Sequence, residues 1–264
     1  MSVVARREGP SFDADLAVKG FIRDPEWMFK AGIGGMINAG GLVTGLANPL
    51  MFPALLALSA LTTGYAMRAV RYRALEVVDK LPDWNEWLEL FVSGLTWVAL
   101  QFGYWSLFAG FATIVVMVGM KFETLKTINF WITGGVLLII AGALKTSFFA
   151  SYLMVNFALE EDLKAGFAVR EVIKRAWRDP SGLVGAWLLS MGLFGAAVIV
   201  PSLTIVGVFF VPSTVFAAQV MAADVLTQAW TKLTPANVKP LKKKSDKDGK
   251  SDNLPRPSGT KRNP

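Results

Sequence analysis

The sequence predicts an all-α integral membrane protein, a six-transmembrane-helix bundle with both termini cytoplasmic. Three observations predict it. First, Lys, Arg, Asp and Glu are absent from Ala31 to Met67 and from Ser181 to Ala223. A bilayer core of ~30 Å is crossed by ~20 apolar helical residues, so each of these runs fits two spans. Shorter uncharged runs, Leu90–Met120 and Thr127–Leu144, fit one each. Second, the runs are continuous rather than alternating, which suits helices and not barrel strands. Third, basic residues crowd every second connection, the pattern that orients membrane helices.

In chain order the expected spans are Phe29–Ala47, Pro49–Val70, Leu88–Met120, Ile128–Leu159, Leu183–Val200 and Leu203–Ala229. An arm, residues 1–28, precedes them. It carries Arg6, Arg7, Lys19 and Arg23, but no apolar stretch of the kind a cleavable secretory signal has. The turn at Asn48-Pro49 has no basic residue, while the next connection has Arg68, Arg71, Arg73 and Lys80. Lys121 and Lys126 follow the third span, and Lys164, Arg170, Lys174, Arg175 and Arg178 follow the fourth. The Pro201-Ser202 turn has none. Residues 29–230 form the expected membrane domain, and residues 231–264 a basic tail too poor in apolar groups to fold.

Two long uncharged stretches begin alike, after Arg23-Asp24-Pro25-Glu26-Trp27 and after Trp177-Arg178-Asp179-Pro180-Ser181. Asp accepts from exposed N–H groups at a helix start, and Pro tolerates the first helical position. Either the chain contains an internal repeat of helical hairpins, or a common cap recurs by chance. A third start is expected at Leu81-Pro82-Asp83-Trp84, with Trp84 and Trp87 at headgroup level as an interfacial anchor or a partner surface. Leu163–Trp177 reads as one amphipathic helix that lays Leu163, Phe167, Ile173 and Trp177 on a lipid surface, with Arg170, Lys174 and Arg175 as lipid contacts. Lys242, Lys243 and Lys244 in the tail are a second expected lipid contact; a solvated tail is the plainer reading.

Chemistry is sparse. Cys and His are both absent, which removes disulfides, thiolate nucleophiles, the commonest metal ligand and the usual general base. No carboxylate pair, nucleophile–base set, phosphate-binding loop or metal cluster is spelled out. The expectation is therefore no enzyme, no cofactor, no metal and no nucleic acid. Lys145 and Asp224 are ionisable residues inside spans, expected near the inner interface as snorkelling groups or as a structural ion pair. Asn38, Gln101, Asn156 and Gln219 are expected to join helices. Gly41 and Gly45 form a GxxxG step suited to a close helix interface, and Gly192 and Ala196 a similar step.

RDPEW before a Gly-rich span, Gly64-Tyr65 closing the second span, LPDW with Gly94 beyond it, and a late RDPSG form a set. Together they resemble a family of prokaryotic multi-spanning membrane proteins known as a domain of unknown function. The resemblance runs from about Phe21 to Trp230. It implies the helical architecture and no catalytic or binding residue. Two function classes remain open. One is an accessory or scaffold protein that packs against lipids and other membrane proteins in a cytoplasmic or internal, thylakoid-like membrane. The other is a carrier or permease for a small or lipid-like solute, suggested by the paired hairpins.

Overall fold

The computed structural model describes residues 12–77, 80–119 and 125–233, and these are all-α. Helix α1 (Ala14–Arg23) is capped by Asp13, whose carboxylate accepts from the Leu16 N–H at 3.1 Å. It buries Ala17 and Phe21, one helical turn apart, and packs on α10 (Val211–Leu233). Part of the arm expected before the spans is therefore folded onto α10. Its cue is an Asp cap followed by apolar residues at helical spacing.

Helix α2 (Trp27–Ala47) leads through a short 3-10 turn (Pro49–Met51) into α3 (Phe52–Ala74). Next come α4 (Trp87–Gly119), α5 (Leu125–Glu160), the short α6 (Leu163–Gly166), α7 (Val169–Arg178) and α8 (Pro180–Ser202). A single turn, α9 (Ile205–Val208), then connects to α10. All six long helices expected from the sequence are present.

Three of them, not six, are long and apolar enough to cross a membrane on length and composition: Trp87–Val115, Thr133–Glu160 and Pro180–Ser202, within α4, α5 and α8. That is the composition of a membrane protein. The other three have a physical reason to be less apolar. Helices α2, α3 and α10 pack on one another, and small and polar residues serve the contacts between them. In α2 these are glycines. A Cβ at Gly34 would strike the Phe216 ring of α10, and one at Gly35 would strike Ser213. Asn38 Nδ2 donates to the Pro212 carbonyl at 3.4 Å, so this amide does join two helices. Thr214 Oγ1 in turn donates to the Ala197 carbonyl of α8 at 2.6 Å.

The closest helix pair is α3 with α4. A Cβ at Gly64 would collide with the Leu90 carbonyl, and one at Gly94 with the Ala60 carbonyl. Backbone meets backbone there, and only glycine fits. The GxxxG step of α2 also serves the inside of the molecule: Gly41 and Gly45 both face Leu55 of α3. These two glycines therefore pack a helix pair within the chain. Gly192 meets open space among the described residues.

The N-termini of α2, α4 and α8 and the C-termini of α3, α5 and α10 gather at one end. Buried aromatic and aliphatic residues concentrate towards it, including Tyr65, Tyr152, Phe216 and Trp230. Away from it, α4, α5, α8 and the α8–α10 connection expose Phe111, Ile114, Ile139, Ile199 and Phe209.

Candidate functional site

The site worth building is the charged end, because it places ion pairs in a protein that is otherwise poor in charge. Asp24 and Lys30 are 1% and 2% exposed. Lys30 Nζ donates to Asp24 Oδ2 at 2.9 Å and lies 3.0 Å from Asp83 Oδ1. It also donates to the Leu81 carbonyl at 3.1 Å, while the Leu81 N–H donates to Asp24 Oδ2 at 2.7 Å. Asp24 further accepts from the Glu26 N–H at 2.7 Å, holding the chain as it enters α2. Asp179, in the matching Asp-Pro, instead caps α8 by accepting from the Gly182 N–H at 2.9 Å. The two motifs share a residue pair and do different work.

Burial alone would push the Asp24 carboxyl up. The Lys30 ammonium and the two backbone N–H donors outweigh it, so its pKa lies below the ordinary 3.8. Asp83 is lowered in the same way: burial opposes, and the Lys30 and Lys80 ammonium groups prevail.

This node explains a difference from the expected LPDW helix start. Helix α4 begins at Trp87, and Leu81–Glu86 lies outside it. Pro82 disfavours helical backbone at Leu81, and Asp24 and Lys30 then take both backbone groups of Leu81. Glu86 adopts φ 54°, in the left-handed region, as the chain turns into α4. Trp84 is half-buried and held by contacts within the chain. Its ring stacks on Tyr65 at 4.3 Å and its Nε1 donates to the Lys30 carbonyl at 3.1 Å. Tyr65 OH donates to the Pro82 carbonyl at 2.6 Å. Trp87 stacks on Trp84 and is 45% exposed, so it alone keeps the expected outward position.

Three further pairs tie helix ends. Arg68 donates to Glu86 Oε2 at 2.9 Å and to Asn85 Oδ1 at 3.1 Å, and lies 3.4 Å from Glu89. Arg71 pairs with Glu161 at 2.5 Å. Arg73 Nε meets Asp224 Oδ1 at 2.7 Å. This corrects the expected Lys145–Asp224 pair. Asp224 faces α3, whereas α5 turns Lys145 to the outside. Distance along a helix placed both residues in spans, but the side each one faces decided the partner.

The expected amphipathic helix is broken at Phe167–Ala168 into α6 and α7. Arg170 and Lys174 are exposed, as are Leu163, Phe167, Ile173 and Trp177. Arg175 is not a lipid contact: it is 8% exposed, bonds Glu171 at 3.0 Å and lies 3.9 Å over the Trp230 ring. Lys242, Lys243 and Lys244 lie outside the described residues.

Beside the pairs is a cavity of about 580 Å³ between α3, α4 and the end of α5. Arg68, Arg71, Glu89 and Glu161 supply its polar part; Leu88 and Val92 of α4 and Phe157 of α5 are among its apolar walls. No sequence motif marks it, because its residues come from separate helices.

A family model described as a protein of unknown function, DUF4013, matches residues 49–222. The chain belongs to the DUF4013 family. No curated protein and no solved structure matches it. The DUF4013 stretch contains Gly64-Tyr65, LPDW, Gly94 and RDPSG. RDPEW precedes that stretch, yet Asp24 is bonded directly to the LPDW segment within it.

Proposed function

We propose that this DUF4013 protein is a multi-pass accessory protein of a prokaryotic cytoplasmic or internal membrane. Both termini face the cytoplasm, and the bundle packs against lipids and partner membrane proteins without catalysing a reaction itself. The observation that carries this reading is a division of labour among its side chains. The ion pairs of the buried Asp24, Lys30, Arg68 and Arg71 fasten helix ends to one another. Meanwhile α4, α5 and α8 present apolar side chains outward, such as Leu107, Phe111, Ile139 and Leu188. A surface of that kind needs lipid or another apolar protein face against it.

Photo-crosslinking in cells tests this. A benzoyl-phenylalanine at Phe111, Ile139 or Leu188 should give a discrete adduct with a second membrane protein from at least one helix. Adducts with lipid alone at all three positions would contradict the accessory reading. The carrier reading rests on the cavity at Arg68 and Arg71. Solute uptake by reconstituted vesicles, lost on blocking that cavity, would favour it.

A further inference from the structure

Helix α5 changes character at Lys145. Towards the charged end, Ala150, Tyr152, Leu153 and Val155 are buried in the core. Away from it, Leu138, Ile139, Ile140 and Leu144 are exposed. Packing in that half is with α4, where a Cβ at Gly142 would strike the Phe108 ring. Lys145 stands at the boundary, on the exposed surface, and has no carboxylate partner among the described residues. The buried cations differ: Lys30, Arg68, Arg71 and Arg175 each hold a carboxylate.

Helix α8 measures how deep Lys145 lies. Both α5 and α8 have the composition of a span. Trp187 Nε1 donates to Ser147 Oγ at 3.4 Å, and the Trp187 ring meets that of Phe148 at 5.8 Å. Trp187 comes seven residues after Pro180, where α8 begins at the charged end, which at the helical rise is ~10 Å. Lys145 lies two residues beyond Ser147, so its level is ~13 Å into a helix of 23 residues, or ~34 Å. In a bilayer that is deep inside the hydrocarbon. The four-carbon stem of a lysine does not reach the headgroups from there. Ionisable residues at such depth pair with one another or face a water-filled cavity.

We propose that the exposed face of α5 around Lys145 docks a transmembrane helix of a partner protein, one that carries an Asp or Glu within its apolar stretch. The carboxylate pairs with Lys145. Apolar side chains of the partner cover Ala141 and Leu138, one and two turns further along the same exposed face. Charge complementarity selects this occupant. Lipid tails cover the apolar residues but leave the ammonium unpaired, and lipid phosphates lie at the surface. A second copy in the same orientation brings another Lys145 to that depth, and its Asp224 is already held by Arg73. An acid in a foreign helix answers the cation and is itself relieved of standing alone in lipid. The inference rests on the accessory reading and names the chemistry of the partner.

The test uses the full chain in phosphatidylcholine vesicles, with a donor fluorophore on Asn48→Cys. The probes are single-span leucine–alanine peptides that carry an acceptor and a central Asp, Asn or Leu. A central residue lies ~15 Å from either surface, close to the level of Lys145 in either orientation. By energy transfer, the Asp peptide should associate at least tenfold more tightly than the Asn and Leu peptides. Lys145→Met should abolish that preference and Lys145→Arg should keep it; both alter an exposed side chain. Ala141→Trp, also at an exposed position, should weaken association of the Asp peptide tenfold or more with the fold intact. Lys174→Gln, on exposed α7 surface, should change nothing. Equal association of the three peptides, an Asp preference that survives Lys145→Met, or unchanged binding in Ala141→Trp would each overturn the proposal. So would self-association of the chain that is lost in Lys145→Met, which would assign the face to a second copy. Protein adducts from Ile139 in cells, without any Asp preference in vesicles, would leave the accessory reading standing and refute this inference alone.

Discussion

Lys30 is the residue on which three chain segments depend. It faces Asp24 before α2, Asp83 in the LPDW segment and the Leu81 carbonyl, all while nearly excluded from solvent. Removing one member of a buried pair strands the other charge, at ~3–5 kcal/mol. Lys30→Met is therefore expected to lower the detergent melting temperature sharply. Adding Asp24→Asn should recover part of the loss, since the two groups share one interaction. Additive losses would refute the coupling. The same node predicts an acid limit. Asp24 and Asp83 have folded-state pKa values below the ordinary 3.8. The stability they contribute is fully present above that value and is lost as pH falls through their lowered values. Melting temperature measured between pH 6 and 3 should fall below about pH 4 in the wild type. In Lys30→Met the drop should be smaller, because without the ammonium the carboxyls are no longer held down.

Among helices, the contact of α3 with α4 sets the tightest tolerance. Gly64 and Gly94 each face a carbonyl of the opposite helix, and a methyl group at either meets backbone that cannot swing away. Gly64→Ala and Gly94→Ala should separate the helices and cost several kcal/mol each, in the range reserved for overpacking at a special site. Gly192 has open space around it, so Gly192→Ala should be neutral or gain ~0.5–1 kcal/mol. Thermal melts of the three variants check this ordering. The helices themselves were legible in the sequence. Uncharged runs and Asp-Pro starts placed α2, α3, α4, α5 and α8 to within a few residues, while α10 starts eight residues later than expected, because α9 occupies Ile205–Val208. The other errors share one cause. LPDW has the acids and tryptophans of a helix start, yet a buried Asp24–Lys30 pair from another segment holds Leu81 out of the helix. Leu163–Trp177 has helical spacing, yet it breaks at Phe167, and Arg175 turns inward to Trp230. Local pattern cannot register a partner that arrives from elsewhere in the chain.

At the scale of the molecule, two kinds of long helix do different work. Helices α4, α5 and α8 are apolar enough to cross a membrane on composition, and α2, α3 and α10 pack on one another through glycines, hydroxyls and amides. Counting apolar runs treats both kinds alike, which is why six spans were expected and three meet the composition of a span. Charged side chains of α2, α3, α4 and α10, with Glu161 just past α5, meet at one end, where the ion pairs and the cavity lie. The central claim is that this end faces the cytoplasm and the turn around Asn48 faces outward. The chain has no cysteine, so single ones are clean reporters. Asn48→Cys and Asp162→Cys both alter exposed positions, one at each end. In intact cells expressing either variant, an impermeant maleimide should label Asn48→Cys at once and Asp162→Cys only after lysis. Labelling of Asp162→Cys in intact cells, or of Asn48→Cys only after lysis, would contradict the account.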